Sequence, residues 1–209
     1  DKSNNRVMKW TPGASSGSVV AGGNGEGTNN NQLSSPRGVF VDSSGNVYVG
    51  DSNNNRIMKW ASGATSGILV AGGNGEGSNL NQLYNPSDFQ VDSYGNVYVA
   101  DYQNNRVMKW KPGASEGTLV TVNVSLVNGL NPSSYPSKIF IDVNGNTYVL
   151  YTSSSTVVKW DSEATSGTVV AGGNGGGSGL NQLSGPKFFH VDSSGNIYLA
   201  DTNNHRIMK

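Results

Sequence analysis

The segment PRGVFVDSSGNVYVGDSNNNRI at residues 36–57 decides the fold of this 209-residue chain. Versions of it begin again at residues 86, 136 and 186, so the sequence repeats every fifty residues without insertions or deletions. A period of this length is typical of repeat proteins, in which each unit buries its apolar surface against its neighbours. The whole chain is therefore expected to be built from one kind of unit.

Each unit predicts four short β-strands. In the first unit the strands are expected at 38–42, 47–51, 56–60 and 68–71. Apolar residues alternate there with a period of two, and no segment shows a helical period. Gly45 and Asn46 favour a hairpin turn, and the Asp42 carboxylate is placed to cap it. Sheets that are apolar on both faces need cover on both sides, and radial stacking of such sheets gives a β-propeller.

The predicted fold is all-β: a β-propeller of four-stranded antiparallel blades in a single domain. The blades are expected at 36–85, 86–135 and 136–185, with a composite blade from 186–209 plus 1–35.

The two ends of the chain leave ring closure open. Residues 206–209 repeat the strand already present at 6–9, so one strand is surplus in a closed ring of four blades. Three interpretations remain: a closed four-bladed ring with a displaced tail, part of a larger propeller, and a surplus strand that pairs with another copy. The sequence has no signal peptide and does not begin with Met, so a mature form and an excised fragment are both expected possibilities.

The pattern P-x-G-V-x-V-D-x-x-G-N-V-Y-V-x-D-x-x-N-N-R-I, which stands at Pro36–Ile57, resembles the NHL repeat. Close versions at Pro86–Val107 and Pro186–Ile207 keep the same spacing of Asp, Gly-Asn and Asn-x-Arg. The resemblance covers essentially the whole chain. It implies a β-propeller, commonly of six blades, that mostly binds proteins and sometimes RNA; a few related propellers are enzymes.

Composition argues against several classes of function. Fourteen Lys and Arg balance fourteen Asp and Glu, so the chain lacks the basic footprint of a nucleic-acid-binding protein. No apolar run reaches the length of a membrane span. The absence of Cys excludes disulfides, thiol chemistry and Cys-based zinc sites.

The repeated charged residues are interpreted as structural, because a catalytic site is needed only once in a protein. They are Asp51, Asp101 and Asp201 with Arg56, Arg106 and Arg206. Of the two histidines, His205 is expected to be exposed, and His190 to be packed and hydrogen-bonded within a first strand. We predict no catalytic residue, no metal site and no cofactor.

Positions where the repeats differ are the candidates for specificity. At the axial opening of the propeller these are Arg37, Asp88, Lys138, Lys187 and Phe188. A partner-binding role and an ordinary solvated-loop role are both open for them. The unit at 136–185 also diverges, with Tyr151 and Thr156 in place of the repeated Asp and Arg, and we favour drift as the cause.

The glycine-rich crossovers, such as AGGNGEG at 21–27, are not phosphate-binding loops by sequence. They lack the Lys-Ser/Thr end of a P-loop, and no helix follows. They also lack the Asp of a calcium-binding glycine repeat, so we interpret them as flexible backbone between blades. The divergent crossover at 121–135 contains the chain's one glycosylation sequon, at Asn123.

The leading hypothesis for function is a non-catalytic interaction or assembly module. It would bind protein partners, including other copies as a homo-oligomer or a filament formed by strand exchange, through blade loops and strand edges. One alternative is a propeller lyase or hydrolase with an axial metal, for which only Asp88 and His190 are available. The other is a glycan or RNA binder, whose basic face would be limited to Arg37, Lys138 and Lys187. We favour an extracellular location.

Overall fold

The computed structural model describes residues 1–121, 135–162 and 164–209. The strands in these ranges are β1 (Arg6–Lys9), β2 (Ser18–Gly22), β3 (Pro36–Val41), β4 (Val47–Asp51), β5 (Arg56–Trp60), β6 (Ile68–Gly72), β7 (Asp88–Val91), β8 (Val97–Asp101), β9 (Arg106–Trp110), β10 (Thr118–Leu119), β11 (Pro136–Ile141), β12 (Thr147–Tyr151), β13 (Thr156–Trp160), β14 (Thr168–Gly172), β15 (Phe188–Val191), β16 (Ile197–Asp201) and β17 (Arg206–Met208). Single 3₁₀ turns lie at Lys2–Asn4, Ser52–Asn54, Tyr102–Asn104 and Thr202–Asn204.

The strands form antiparallel sheets in which neighbours in sequence are neighbours in space. Four-stranded sheets have the orders β3-β4-β5-β6, β7-β8-β9-β10 and β11-β12-β13-β14. A two-stranded sheet joins β1 to β2, and a three-stranded sheet joins β15, β16 and β17. The prediction of an all-β fold built from four-stranded antiparallel blades is confirmed. The composite blade of 186–209 and 1–35 stays a prediction.

The hairpin turn between the first two strands of a blade is fixed by its aspartate. The Asp42 carboxylate accepts hydrogen bonds from the backbone N–H of Ser44 at 3.0 Å and of Asn46 at 2.9 Å. The Asn46 amide donates a third bond, of 2.8 Å, and this bond contributes most to holding the pKa of Asp42 below its ordinary value. Gly45 takes the left-handed conformation that the turn requires, with φ +78°. The same turn recurs at Asp92, Asp142 and Asp192.

The chain divides into two compact units. The first comprises Asp1–Val97 and Trp110–Thr118, and the second comprises Tyr98–Lys109 and Leu119–Lys209. A core of the first unit packs residues of β1 and β2 against one face of the sheet β3–β6. Its buried members are Val7, Ala21, Leu33, Val47, Val49, Met58 and Trp60.

The second unit contains two apolar clusters. One surrounds Tyr151 and Trp160 and includes Ile139 and Ile141 of β11. The other surrounds Leu150 and Val157 and includes Phe189 and Val191 of β15, together with Leu199. Both faces of the sheet β11–β14 are therefore buried, as the all-round apolar character of the repeat predicts. Within the ranges that the structure describes, no helix has the length and hydropathy of a membrane span.

Candidate functional site

An Asp–Arg pair holds a glycine-rich crossover against the sheet that follows it. Nε of Arg56 lies 2.7 Å from Oδ2 of Asp51, and Oδ1 of Asp51 accepts a 2.6 Å hydrogen bond from the Ser34 N–H. The Arg56 guanidinium also donates to the carbonyl oxygen of Thr28 at 2.7 Å. Both partners of the pair are buried. Equivalent pairs join Arg106 to Asp101 and Arg206 to Asp201, each at 2.7 Å.

At Asp201, burial and hydrogen bonding shift the pKa of the carboxyl group in opposite directions. Burial by itself raises the pKa of Asp201, because desolvation disfavours the charged form. Hydrogen bonds from the Ser184 N–H and the Asn204 amide, together with the Arg206 guanidinium, outweigh burial and hold the pKa below its ordinary value. The Asp201 carboxylate is therefore ionised and accepts hydrogen bonds from the loop around it, as expected of a structural ion pair.

The crossovers in the described ranges are loops held by side-chain hydrogen bonds, and their flexibility stays a prediction. The Asn24 amide donates to the carbonyl oxygen of Asn31 at 3.0 Å, and the Gln32 amide donates to that of Asn24 at 3.0 Å. The same pairs of bonds recur around Asn74 and Asn174. Side-chain amides supply bonds that the sequence alone did not reveal, because glycine content says nothing about such cross-links.

The divergent repeat replaces the ion pair with apolar packing. Tyr151 is fully buried in its cluster, with its ring 6.3 Å from that of Trp160. Within the described residues, the Thr156 hydroxyl donates a local hydrogen bond, to the Ser154 carbonyl oxygen at 2.9 Å. Burial raises the pKa of Tyr151. Within the described part of the chain, the Tyr151 hydroxyl and the Trp160 Nε1 have no hydrogen-bond partner. The crossover residue Asn123 lies outside the described residues.

The unpartnered hydroxyl gives a direct prediction for Tyr151→Phe. A buried hydroxyl without a hydrogen bond costs about 1–3 kcal/mol, so its removal is expected to raise the free energy of unfolding by about 1 kcal/mol. The midpoint of urea denaturation measures this change. Tyr148→Phe is the control, since the same substitution there deletes a hydroxyl from the same strand, β12. A Tyr151→Phe protein less stable than the wild type would contradict the prediction.

The five residues predicted at the axial opening are divided between the two units. In the first unit, Arg37 is an exposed residue of β3 and Asp88 is the first residue of β7. In the second, the structure brings Lys138 and Phe188 together, with Nζ 5.4 Å from the centre of the ring, while Lys187 is exposed. A binding role for these five residues stays a prediction.

The prediction that His190 is packed and hydrogen-bonded is wrong as to burial. The side chain is exposed, and its ring meets the Phe140 ring edge-on at 5.4 Å. His190 lies on the face of β15 opposite to Phe189 and Val191, which are the buried residues of that strand. His205 is exposed, as predicted, and adopts the left-handed conformation with φ +53°.

Sequence reasoning missed a concave surface of the first unit, which we call the open groove. It is a cavity of about 1050 Å³ lined by β1, β2, the outer residues of β3 and the turn at 61–66. Trp10 lies at this groove and is 59% exposed, whereas its counterpart Trp60 is 1% exposed. The signal that could have revealed it is the position of Trp10 in an incomplete copy of the repeat.

The floor of the open groove is a sheet face that is covered in the other repeats. Val39 and Val41 of β3 are 53% and 56% exposed. Their counterparts Phe89 and Val91 of β7 are 7% and 5% exposed. Ile139, Ile141, Phe189 and Val191 hold the same positions and are also buried. The open groove therefore exposes apolar surface that this kind of sheet normally buries.

Antiparallel four-stranded sheets that recur every fifty residues define this molecule as a β-propeller protein. The family model described as NHL repeat matches residues 33–60 and 183–209. The chain therefore carries NHL repeats, and the resemblance seen in its sequence is confirmed.

Solved structures with the same fold include lyases. A streptogramin B lyase has a TM-score of 0.58 and 16% identity, over 82% of this chain and 50% of that chain. A catalytically inactive virginiamycin B lyase from Staphylococcus aureus with quinupristin has a TM-score of 0.58 and 18% identity, over the same shares of the two chains. At these identities the similarity shows the fold alone. The chain spans half the length of these structures, and no curated protein matches it.

Proposed function

We propose that this chain is a non-catalytic module that binds protein partners through the open groove, the blade loops and the strand edges. The observation that carries the proposal is the exposure of Trp10, Val39 and Val41 around one cavity. Contiguous apolar surface of this kind is typical of interaction sites, and Trp is enriched among the residues that dominate binding energy. An NHL propeller fold supports an interaction module in general terms.

The edge of β1 adds main-chain binding capacity to the apolar surface. In the complete sheet β3–β6, the third strand β5 pairs with both β4 and β6. Its counterpart β1 pairs with β2 in a two-stranded sheet, so the side of β1 away from β2 is an edge. A strand edge beside an apolar groove is suited to a partner that adds a strand or a hairpin.

A non-catalytic role differs from that of the lyases that share the fold. Within the ranges the structure describes, no three His, Asp or Glu side chains are grouped so that they could hold a metal ion. The buried Asp51–Arg56 pair is occupied by hydrogen bonds to its crossover. The glycan and RNA hypotheses have no observation that favours them and stay predictions.

A selection for ligands tests the proposed function without a known partner. A displayed library of extended and hairpin peptides would be selected against the whole chain, and binding of each selected peptide measured by titration. We expect binders whose affinity falls at least about tenfold, or about 1.4 kcal/mol, for Val41→Lys, because a charge is placed on the apolar floor. Val143→Lys is the matched control, since Val143 is an exposed turn residue of the second unit. Binders that are insensitive to Val41→Lys would contradict the proposal.

A further inference from the structure

The open groove lies beside the sheet β1–β2, which has two strands where the other blades have more. Residues of β1 and β2 pair as Arg6 with Gly22 and Val7 with Ala21, and the bulge follows Val7. Fifty residues later, β5 and β6 repeat this register and bulge. The sheet β1–β2 is therefore the outer half of a blade. In the complete blade β3–β6, the inner half is the antiparallel hairpin of β3 and β4. The sheet β1–β2 has no such hairpin beside it, and the open groove lies where that hairpin would be.

The chain presents such an inner hairpin at β15 and β16. Phe189 pairs with Leu199 and Val191 with Ile197. This is the register of Val39 with Val49 and of Val41 with Val47 in the complete blade, shifted by 150 residues. The sheet continues only to β17. A second cavity, of about 510 Å³ and lined by Leu180, Met208 and others of the second unit, lies beside it.

We propose that the occupant of the open groove is the β15–β16 hairpin of a second copy of this chain. The inference rests on the proposed function, because it names the partner for that same groove. In the joined state, β16 of one copy pairs with β1 of the other and forms a four-stranded sheet in the order β15-β16-β1-β2. Phe189 and Val191 stay buried against the sheet β11–β14 of their own chain, so the opposite face of the hairpin, which carries the exposed Phe188, meets Val39 and Val41. The first unit shows the same kind of contact, because Gly38, the counterpart of Phe188, lies against Phe89, the counterpart of Val39.

Duplication of one strand makes the exchange possible. The sequence at 201–209, DTNNHRIMK, repeats DKSNNRVMK at 1–9, so β17 and β1 are alternative partners for the same edge of β16. Because β17 has three residues and an exposed Ile207, little apolar contact opposes its replacement. β1 brings β2 with it and so completes the sheet, which β17 does not.

The symmetry of the exchange supports a closed pair. Each copy would give one hairpin and receive one, and two identical contacts of this kind leave no further edge to extend. A second copy thus meets the requirements of strand register and of apolar surface together.

The first experiment is to measure the mass of the full chain by light scattering over a range of concentrations. We expect the mass to rise to twice 21.9 kDa. Met208→Pro removes the N–H that β17 directs at Leu199 of β16 and is expected to lower the concentration at which the mass doubles, since β17 competes with β1. Val143→Pro, at an exposed turn, is the control. A mass of one chain at every concentration, for both the wild type and Met208→Pro, would overturn the inference.

The second experiment detects the register of the joined state. Tyr148 pairs with Lys159, and Tyr48 with Lys59, so Tyr198 of one copy is expected opposite Lys9 of the other. Because the chain has no cysteine, Lys9→Cys and Tyr198→Cys proteins can be mixed and oxidised.

A disulfide between two different chains, absent from a mixture of Lys9→Cys with Val143→Cys, supports the inference; equal yields in the two mixtures overturn it. Closure within one chain cannot give this product. If the chain is strictly monomeric but selected peptides still bind at Val41, this inference fails and the proposed function stands.

Discussion

Replacing Asp51 with alanine is expected to lower the free energy of unfolding by about 3–5 kcal/mol, the cost of leaving a buried charge without its partner. The substitution strands the Arg56 guanidinium, whose side chain is 10% exposed, and removes the acceptor of the Ser34 N–H. Urea denaturation at neutral pH measures the loss, and the midpoint should fall without a change in slope.

Asp1→Ala is the matched control for this experiment. Asp1 and Arg6 form the same pair at 2.8 Å, but their side chains are 30% and 36% exposed. Exposed ion pairs contribute about 0–1 kcal/mol, so the control should be close to the wild type. Equal losses for the two variants would show that burial is not what makes the repeated pair important.

Trp60→Ala is expected to destabilise the chain by about 3–5 kcal/mol, because it empties a large volume in the core of the first unit. Trp60 is 1% exposed and packs with Val47 and Met58. Thermal unfolding followed by circular dichroism measures the effect. A loss below about 1 kcal/mol would mean that the sheet rearranges to fill the cavity.

The same substitution at Trp10 separates folding from assembly. In a dilute sample, Trp10→Ala is expected to change the free energy of unfolding by about 0.5 kcal/mol or less, as for other surface substitutions. At concentrations where two copies associate, the loss should be larger, because the joined state would bury this side chain. A loss that does not depend on concentration would contradict the proposed pairing.

The fold could be predicted from the sequence because its determinants are local and are repeated. The period of fifty, the alternation along strands such as Val47–Asp51 and the Asp42 turn each specify structure within a few residues. Because the pattern occurs in four copies, each copy supports the same prediction of strands and turns. The predicted bounds of the strands agree with those of β3–β6 to within two residues.

The candidate site could not be predicted in the same way, because exposure depends on what lies across a sheet. Trp10 and Trp60 end nearly identical segments, VMKW and IMKW, yet one is exposed and the other buried. A comparison of the repeated sequences does not reveal this difference in exposure, because the two segments are nearly the same. His190 illustrates the same limit, since its strand was expected to be packed, and the face that carries His190 is exposed.

The hydrogen bonds between Arg56 and its crossover bear on how such a chain evolves. The guanidinium contacts carbonyl oxygens of residues 28, 29 and 32, all within the loop that leads into its own sheet. A duplicated stretch of fifty residues therefore carries both the arginine and the loop that the arginine binds. A new copy can form this contact without a change in the existing copies. The unit that carries Tyr151 and Thr156 lacks this arginine contact and is held by apolar packing around Tyr151 instead.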